Sequence, residues 1–194
     1  MILKRIVATV ALFFLAACSG SMKPEDFDGK QPRFVLESYF SGETKAWGIF
    51  EDRFGNLRRE FVVDITGTWD GSTLVLDEQF DYSDGEKDRR VWTISKIDDH
   101  NYTGTASDIV GTAIGKSYGN ALKWSYDLNL KVGDGTWQVH FNDWMFLQPG
   151  GVLLNKATVT KFGVHIGTVT LAFNKPAAAT RAAAAFNEMQ RAAE

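Results

Sequence analysis

The sequence of 194 residues has little of what most binding sites for metals or nucleic acids require. It holds one cysteine, Cys18, so no disulfide scaffold can form within the chain. Its three histidines, His100, His140 and His165, have no cysteine partner and no short spacing to one another, so no metal site is predicted. Acidic residues outnumber basic ones by 24 to 21, which disfavours nucleic acid as a partner.

The sequence also lacks an apolar run long enough to serve as a transmembrane helix, which needs about 20 residues. The run over residues 6–15 follows Lys4 and Arg5 and ends in small residues, which is the layout of a secretory signal over residues 1–17. Leu15-Ala16-Ala17-Cys18 resembles the lipobox of bacterial lipoproteins, which implies that Cys18 is lipidated. In lipoproteins of this kind, an aspartate after the cysteine implies retention in the inner membrane. Ser19 stands at that position, so the resemblance to sorted lipoproteins implies the outer membrane. An ordinary cleaved signal is the alternative.

Composition divides the remaining chain into three parts. Cleavage before Cys18 removes two cations and moves the net charge from −3 to about −5, which disfavours a polybasic membrane patch. Residues 18–33 are polar and predict a tether, of which the last 15 residues reach about 50 Å when extended. Residues 34–175 predict one domain, and the alanine-rich residues 176–194 predict a helical tail.

The domain shows the pattern of a long β-meander. Seven turn signals rich in Gly, Asn and Asp recur from Phe54-Gly55-Asn56 to Pro149-Gly150-Gly151, with about ten residues between most of them. The segments between them alternate apolar and polar residues, and so does the stretch from Phe34 to Phe40. Because a long meander must close to remove its edges, we predict an all-β, up-and-down antiparallel barrel of about 8–10 strands, lipocalin-like.

Four charged residues share the apolar face of this alternation: Arg59, Glu78, Arg90 and Asp143. Burying a charge is costly unless it is paired, and two arginines match two carboxylates. One interpretation is therefore an internal salt-bridge network that maintains strand register. The other is a ligand site in which Arg59 and Arg90 receive the head group of an amphiphile.

Large aromatic residues on or near the same rows complete the candidate site. We predict that Trp92, Trp124, Phe141 and Trp144 line the cavity or its rim. No catalytic residue and no cofactor is predicted, because no Gly-x-Ser-x-Gly nucleophile motif and no complete phosphate-binding loop occurs.

The sequence resembles a family of proteobacterial lipoproteins known as domain of unknown function 3833. The resemblance covers residues 34–175 and rests on several short stretches, among them Ala46-Trp47-Gly48-Ile49-Phe50, Gly67-Thr68-Trp69-Asp70-Gly71, Arg90-Val91-Trp92 and Asp143-Trp144-Met145. It implies a lipid-linked role, because relatives tend to be encoded beside enzymes that modify membrane fatty acids. It implies no catalytic residues, since the family has none assigned.

Taken together, these patterns predict an outer-membrane lipoprotein whose periplasm-facing barrel binds or shuttles a small apolar or amphiphilic ligand, such as a fatty acyl lipid. A structural or partner-binding module with a packed barrel is the first alternative. A lipid-modifying enzyme that uses Glu78 or Asp143 is the second. A cavity below about 300 Å³ would favour the packed module. An acid beside an unpaired arginine in an open cleft would favour the enzyme, and a closed ion pair would disfavour it.

Overall fold

The computed structural model describes residues 21–133 and 135–175. The predicted signal, the predicted lipidation site Cys18 and the predicted helical tail lie outside these residues. A short 3₁₀ helix, Pro24–Phe27, and one α-helix, α1, Leu36–Phe40, precede the strands. The strands are β1 Gly42–Asp52, β2 Leu57–Trp69, β3 Thr73–Tyr82, β4 Lys87–Lys96, β5 Asn101–Thr105, β6 Ile109–Tyr118, β7 Ala121–Val132, β8 Gly135–Leu147, β9 Leu153–Lys161 and β10 Val164–Asn174.

The ten strands form a closed antiparallel barrel. Each strand pairs with the next along the chain, and β10 returns to pair with β1. Closure gives every described strand a hydrogen-bonded neighbour on each of its two edges, which removes the exposed edges that promote aggregation. The prediction of an up-and-down barrel is thereby confirmed, with a strand count at the upper end of the predicted range.

All seven predicted turns connect strands, and two further turns had no recognisable signal. Ala106-Ser107-Asp108 separates β5 from β6 without glycine or asparagine. Phe162-Gly163 separates β9 from β10, and Phe162 adopts a φ of 51°, a left-handed conformation that large side chains rarely take. Each of these two turns contains a single Gly, Asn or Asp residue, whereas every predicted turn contains at least two, so the signal was too weak to recognise.

The stretch from Phe34 to Phe40 is the one place where alternation predicted the wrong element. Instead of a strand it forms two residues without regular structure and the helix α1, which closes one end of the barrel. Phe34, Leu36 and Phe40 are each no more than 3% exposed there, so these apolar side chains are buried without a strand. We call this end, where β1 begins, the plugged end, and the opposite end the open end.

Polar contacts hold the plug in place. The Phe34 N–H donates to the Gly119 carbonyl at 2.7 Å. Glu37 is buried and accepts hydrogen bonds from Lys96 and from the Tyr102 hydroxyl, each at 2.9 Å. Burial works to raise the pKa of Glu37, but the hydrogen bonds from Lys96, from the backbone and from Tyr102 together outweigh it and hold the pKa below its ordinary value.

Close packing of the plug explains a glycine in β2. A Cβ at Gly67 would lie 1.9 Å from the Phe40 carbonyl oxygen, so the end of α1 can pass over β2 only where no side chain exists.

Part of the predicted tether belongs to the barrel. The 3₁₀ helix lies against the outer wall, where the Phe27 ring is 5.8 Å from that of Trp144 and 5.4 Å from that of Phe146. Pro24 of the same 3₁₀ helix is also buried. The tether prediction can therefore apply only to residues before Pro24. Neither described helix is long and apolar enough to cross a membrane.

Candidate functional site

The barrel encloses a cavity of about 370 Å³ that runs from the plug towards the open end. Its walls are mostly apolar, with two hydrophobic clusters. One lies near the plug and includes Ile65, Leu76 and Leu122. The other lies towards the open end, around Leu128, Val139 and Val159. Such a volume, with a few polar groups in an apolar wall, is typical of small-molecule sites.

Seven of the eight predicted site residues line this cavity: Arg59, Glu78, Arg90, Trp92, Trp124, Phe141 and Asp143. Trp144 does not, and its predicted place in the cavity or rim is wrong. It follows the inward-facing Asp143 on β8, so strict alternation turns it to the outer wall against Phe27.

Two glycines explain how Trp124 fits into the wall. A Cβ at Gly104 would lie 2.7 Å from its ring, and one at Gly115 would lie 2.4 Å from it. The indole therefore lies across the bare backbone of β5 and β6. A glycine within a strand often marks such a close approach of another group to the backbone.

Arg90 is the cation in the interior of the barrel. Its guanidinium bonds Asp108 of the β5–β6 turn at 2.8 Å and lies 3.9 Å from Glu78 on the neighbouring strand. Burial alone would lower the pKa of Arg90, but the charges of Glu78 and Asp108 raise it, so the group stays protonated. Arg90 thus has two acidic partners without any ligand.

Asp143 is held in a different way. Its Oδ1 accepts a hydrogen bond from the Asn155 side-chain amide at 2.8 Å, and the residue is 4% exposed. The Tyr126 hydroxyl is close enough to lower the pKa of Asp143 but makes no well-formed hydrogen bond to it. Asp143 Oδ2 and Asn155 Oδ1 are both buried without a hydrogen-bond partner among the described residues.

Both interior carboxyl groups resist ionisation. Burial raises the pKa of Glu78 to about 7, although the charge of Arg90 opposes the shift. Burial likewise raises the pKa of Asp143 to about 6, against the bond from Asn155 and the charge of Arg90. The pKa values of Glu78 and Asp143 therefore both lie near neutral pH, instead of near 4 as for exposed carboxyl groups.

Arg59 sits at the open end, apart from the interior cluster. Its guanidinium bonds Asp84 at 2.9 Å, also pairs with Glu86, and lies 3.5 Å from the centre of the Tyr82 ring. The single internal network of two arginines and two acids is therefore not formed: Arg90 pairs with Glu78, Arg59 pairs with turn residues, and Asp143 pairs with an amide.

The sequence search missed three polar residues of the interior. Tyr126 and Asn155 lie on alternating apolar rows of β7 and β9, so the same face argument could have found them. Asp108 sits in a turn without a recognisable signal, and nothing local connects it with Arg90, which lies 18 residues earlier.

A Ser-His-Asp arrangement occurs on the outer wall, where the sequence had predicted no catalytic residue. Ser125 Oγ is 3.2 Å from His140 Nε2, and His140 Nδ1 is 2.8 Å from Asp127 Oδ1. The histidine and aspartate side chains are 45% and 43% exposed to water, where such pairs are weak and often incidental. We therefore assign it no chemical role. The described residues contain no group of three or more potential metal ligands.

Comparison with known proteins places the chain in a family but adds no activity. A protein-family model described as "Protein of unknown function (DUF3833)" matches residues 12–175, which includes every strand of the barrel. No curated protein matches the sequence.

Proposed function

The chain belongs to the DUF3833 family of proteins of unknown function, and from its barrel interior we propose that it binds a small apolar or amphiphilic molecule, such as a fatty acyl lipid. The observation that carries this proposal is the apolar cavity of about 370 Å³. It exceeds the volume of about 300 Å³ below which a packed structural module would be favoured. Arg90 is paired with Asp108 and lies 3.9 Å from Glu78, which argues against a lipid-modifying enzyme that uses Glu78 or Asp143, because that alternative requires an unpaired arginine beside the acid.

The ligand would lie along the barrel axis with its tail in the apolar part of the cavity. Phe141 and Tyr126 stack at 5.2 Å and form a flat apolar wall there. Val159 and Leu128 extend that wall towards the open end. Burial of a chain against these side chains would supply most of the binding free energy, at about 25 cal/mol per Å² of apolar surface.

Native mass spectrometry on gently purified protein tests this proposal. We expect a fraction of the protein to carry a bound lipid or other amphiphile, because an apolar cavity of this size gains free energy when filled. A fluorescent fatty acid should bind in an apolar environment and be displaced by an unlabelled one. Protein that is repeatedly empty, with no binding of the fluorescent probe, would contradict the proposal.

We also propose that the protein is anchored to the outer membrane, facing the periplasm, by a lipid on Cys18. Only residues 19–23 separate Cys18 from the packed Pro24, and they can span at most about 18 Å. The anchor would therefore hold the barrel close to the lipid surface, rather than at the distance that a free tether to residue 33 would allow.

Cys18→Ser tests the anchor. We expect the variant to lose incorporation of labelled palmitate and to leave the membrane fraction, because a lipidated cysteine supplies the acyl chains. Ser19→Ala serves as the matched control and should stay lipidated. Equal palmitate labelling of Cys18→Ser and of the unaltered protein would exclude Cys18 as the lipidation site.

A further inference from the structure

Two acceptor atoms in the polar wall of the cavity have no hydrogen-bond donor among the described residues. Asp143 Oδ2 and Asn155 Oδ1 are buried acceptors with no partner in the described part of the chain, although both residues line the cavity. A buried acceptor without a donor is costly, so something in the cavity should satisfy these two atoms. Water can do so in the empty barrel, but a ligand that displaces the water must bring its own donor hydrogen.

The charges around this site disfavour an anion. Arg90 faces two interior acids, Glu78 and Asp143, and bonds Asp108 directly. With all groups ionised, three negative charges surround one positive charge. The other cations that line the cavity, Arg59 and Lys131, lie towards its open end, and Arg59 is already paired with Asp84 and Glu86. A carboxylate placed beside Asp143 would therefore meet net repulsion.

The polar groups lie between the two apolar clusters of the barrel. Asp143 pairs in register with Trp124 on one side and Ala157 on the other, between the cluster at the plug and the cluster around Val139 and Val159. A ligand can thus place a polar head at mid-height and its tail towards the open end. This arrangement selects for the head group by hydrogen bonding and for the tail by shape alone.

We infer that the ligand of this barrel is an amphiphile whose head group donates hydrogen bonds and carries no negative charge, an alcohol or an amine, with the head seated against Asp143 and Asn155. The inference rests on the proposed function, because it specifies the chemical class of the molecule that the cavity holds. It also departs from the sequence-based expectation that Arg59 and Arg90 receive an anionic head.

Competition among probes with the same chain length tests the inference. 1-Dodecanol, dodecylamine and dodecanoate would each displace a neutral, environment-sensitive fluorescent dye from the barrel at pH 8. Both interior acids are then ionised, since their pKa values are about 7 and about 6. We expect the alcohol and the amine to bind at least about 10-fold more tightly than the carboxylate, a difference of about 1.4 kcal/mol.

Substitutions of the interior acids test whether these residues cause the preference for the alcohol and the amine over dodecanoate. Asp143→Asn removes the charge with little change in shape, and the preference over dodecanoate should fall below about 3-fold. Glu78→Gln provides a second test if Asp143→Asn does not fold, and it should reduce the preference in the same direction. Asp64→Asn, on the outer wall of β2 and 62% exposed, is the matched control and should leave the preference unchanged.

The outcomes separate this inference from the proposed function. Tightest binding of dodecanoate at pH 8 would overturn the inference and leave the proposed function standing. An unchanged preference in both Asp143→Asn and Glu78→Gln would also overturn it, because the interior acids would then not select the head group. Failure of the dye and of all three probes to bind would overturn the proposed function itself.

Discussion

Ala157→Phe should abolish ligand binding while the barrel remains folded. Ala157 is 1% exposed, lines the cavity and is the cross-strand neighbour of Asp143. A phenyl ring at this position would project into the space between the polar site and the apolar wall. Because part of the ring would lie in the cavity, the cost of overpacking around Ala157 should be about 1 to 3 kcal/mol, which is less than the free energy of unfolding of a typical domain.

The expected effect on affinity is large. A ligand that competes with the ring for the same volume should lose at least about 100-fold in affinity, which corresponds to about 2.7 kcal/mol. Displacement of a fluorescent probe measures the affinity, and far-ultraviolet circular dichroism together with Tm reports on the fold. Binding undiminished in a folded Ala157→Phe protein would show that the ligand site lies elsewhere.

Ala172→Phe is the matched control for this experiment. Ala172 lies on β10 next to Phe173, which is buried in the core, so alternation turns Ala172 to the outer wall. The same substitution there adds the same ring without entering the cavity. We expect its ligand affinity to stay within about 2-fold of the unaltered protein.

The stability of the protein should decrease as the pH rises from 5 to 8. Burial raises the pKa of Glu78 to about 7 and that of Asp143 to about 6, so the folded state holds protons that the unfolded state releases near pH 4. Stability from these two groups is complete below about pH 4 and is lost as the pH rises through 6 and 7. The two pKa values imply a loss of about 2 to 4 kcal/mol between pH 5 and pH 8.

Urea unfolding at pH 5, 6, 7 and 8 measures this dependence, and the slope should flatten in Glu78→Gln and in Asp143→Asn. Surface carboxylates act in the opposite direction, but only at lower pH. Hydrogen bonds from Arg59 and from backbone N–H groups lower the pKa values of Asp84 and Asp70, so their stabilisation is lost only as the pH falls below about 4. A stability that rises steadily from pH 5 to pH 8 would mean that Glu78 and Asp143 ionise freely inside the barrel.

The alternation of apolar and polar residues was sufficient to predict the fold class. A period of two assigns each strand residue to one of two faces of the sheet. Closely spaced turns predict a long antiparallel meander, and such a sheet closes into a barrel because closure removes its exposed edges. The same argument correctly predicted that four charged side chains face the barrel interior: Arg59, Glu78, Arg90 and Asp143. It failed for Phe34 to Phe40, because a helix that plugs the barrel end buries its apolar side chains as well as a strand does.

Local pattern could not determine which of these residues meet. Glu78 and Arg90 are directly opposed only because the β3–β4 hairpin sets that register. Asp108 reaches Arg90 from a turn, and Asn155 reaches Asp143 from the next strand. Alternation defines the face of a residue, but neither its height along the barrel axis nor its distance across the interior.

Spacing along the chain was therefore enough to predict the barrel, seven of its turns and the set of charges that face inwards. Only the tertiary structure decided that Arg90 is already neutralised by Asp108, that Arg59 belongs to the open end, and that Asp143 retains an unpaired oxygen. The physical reason is that pairing depends on strand register and barrel closure, which bring together residues far apart in sequence.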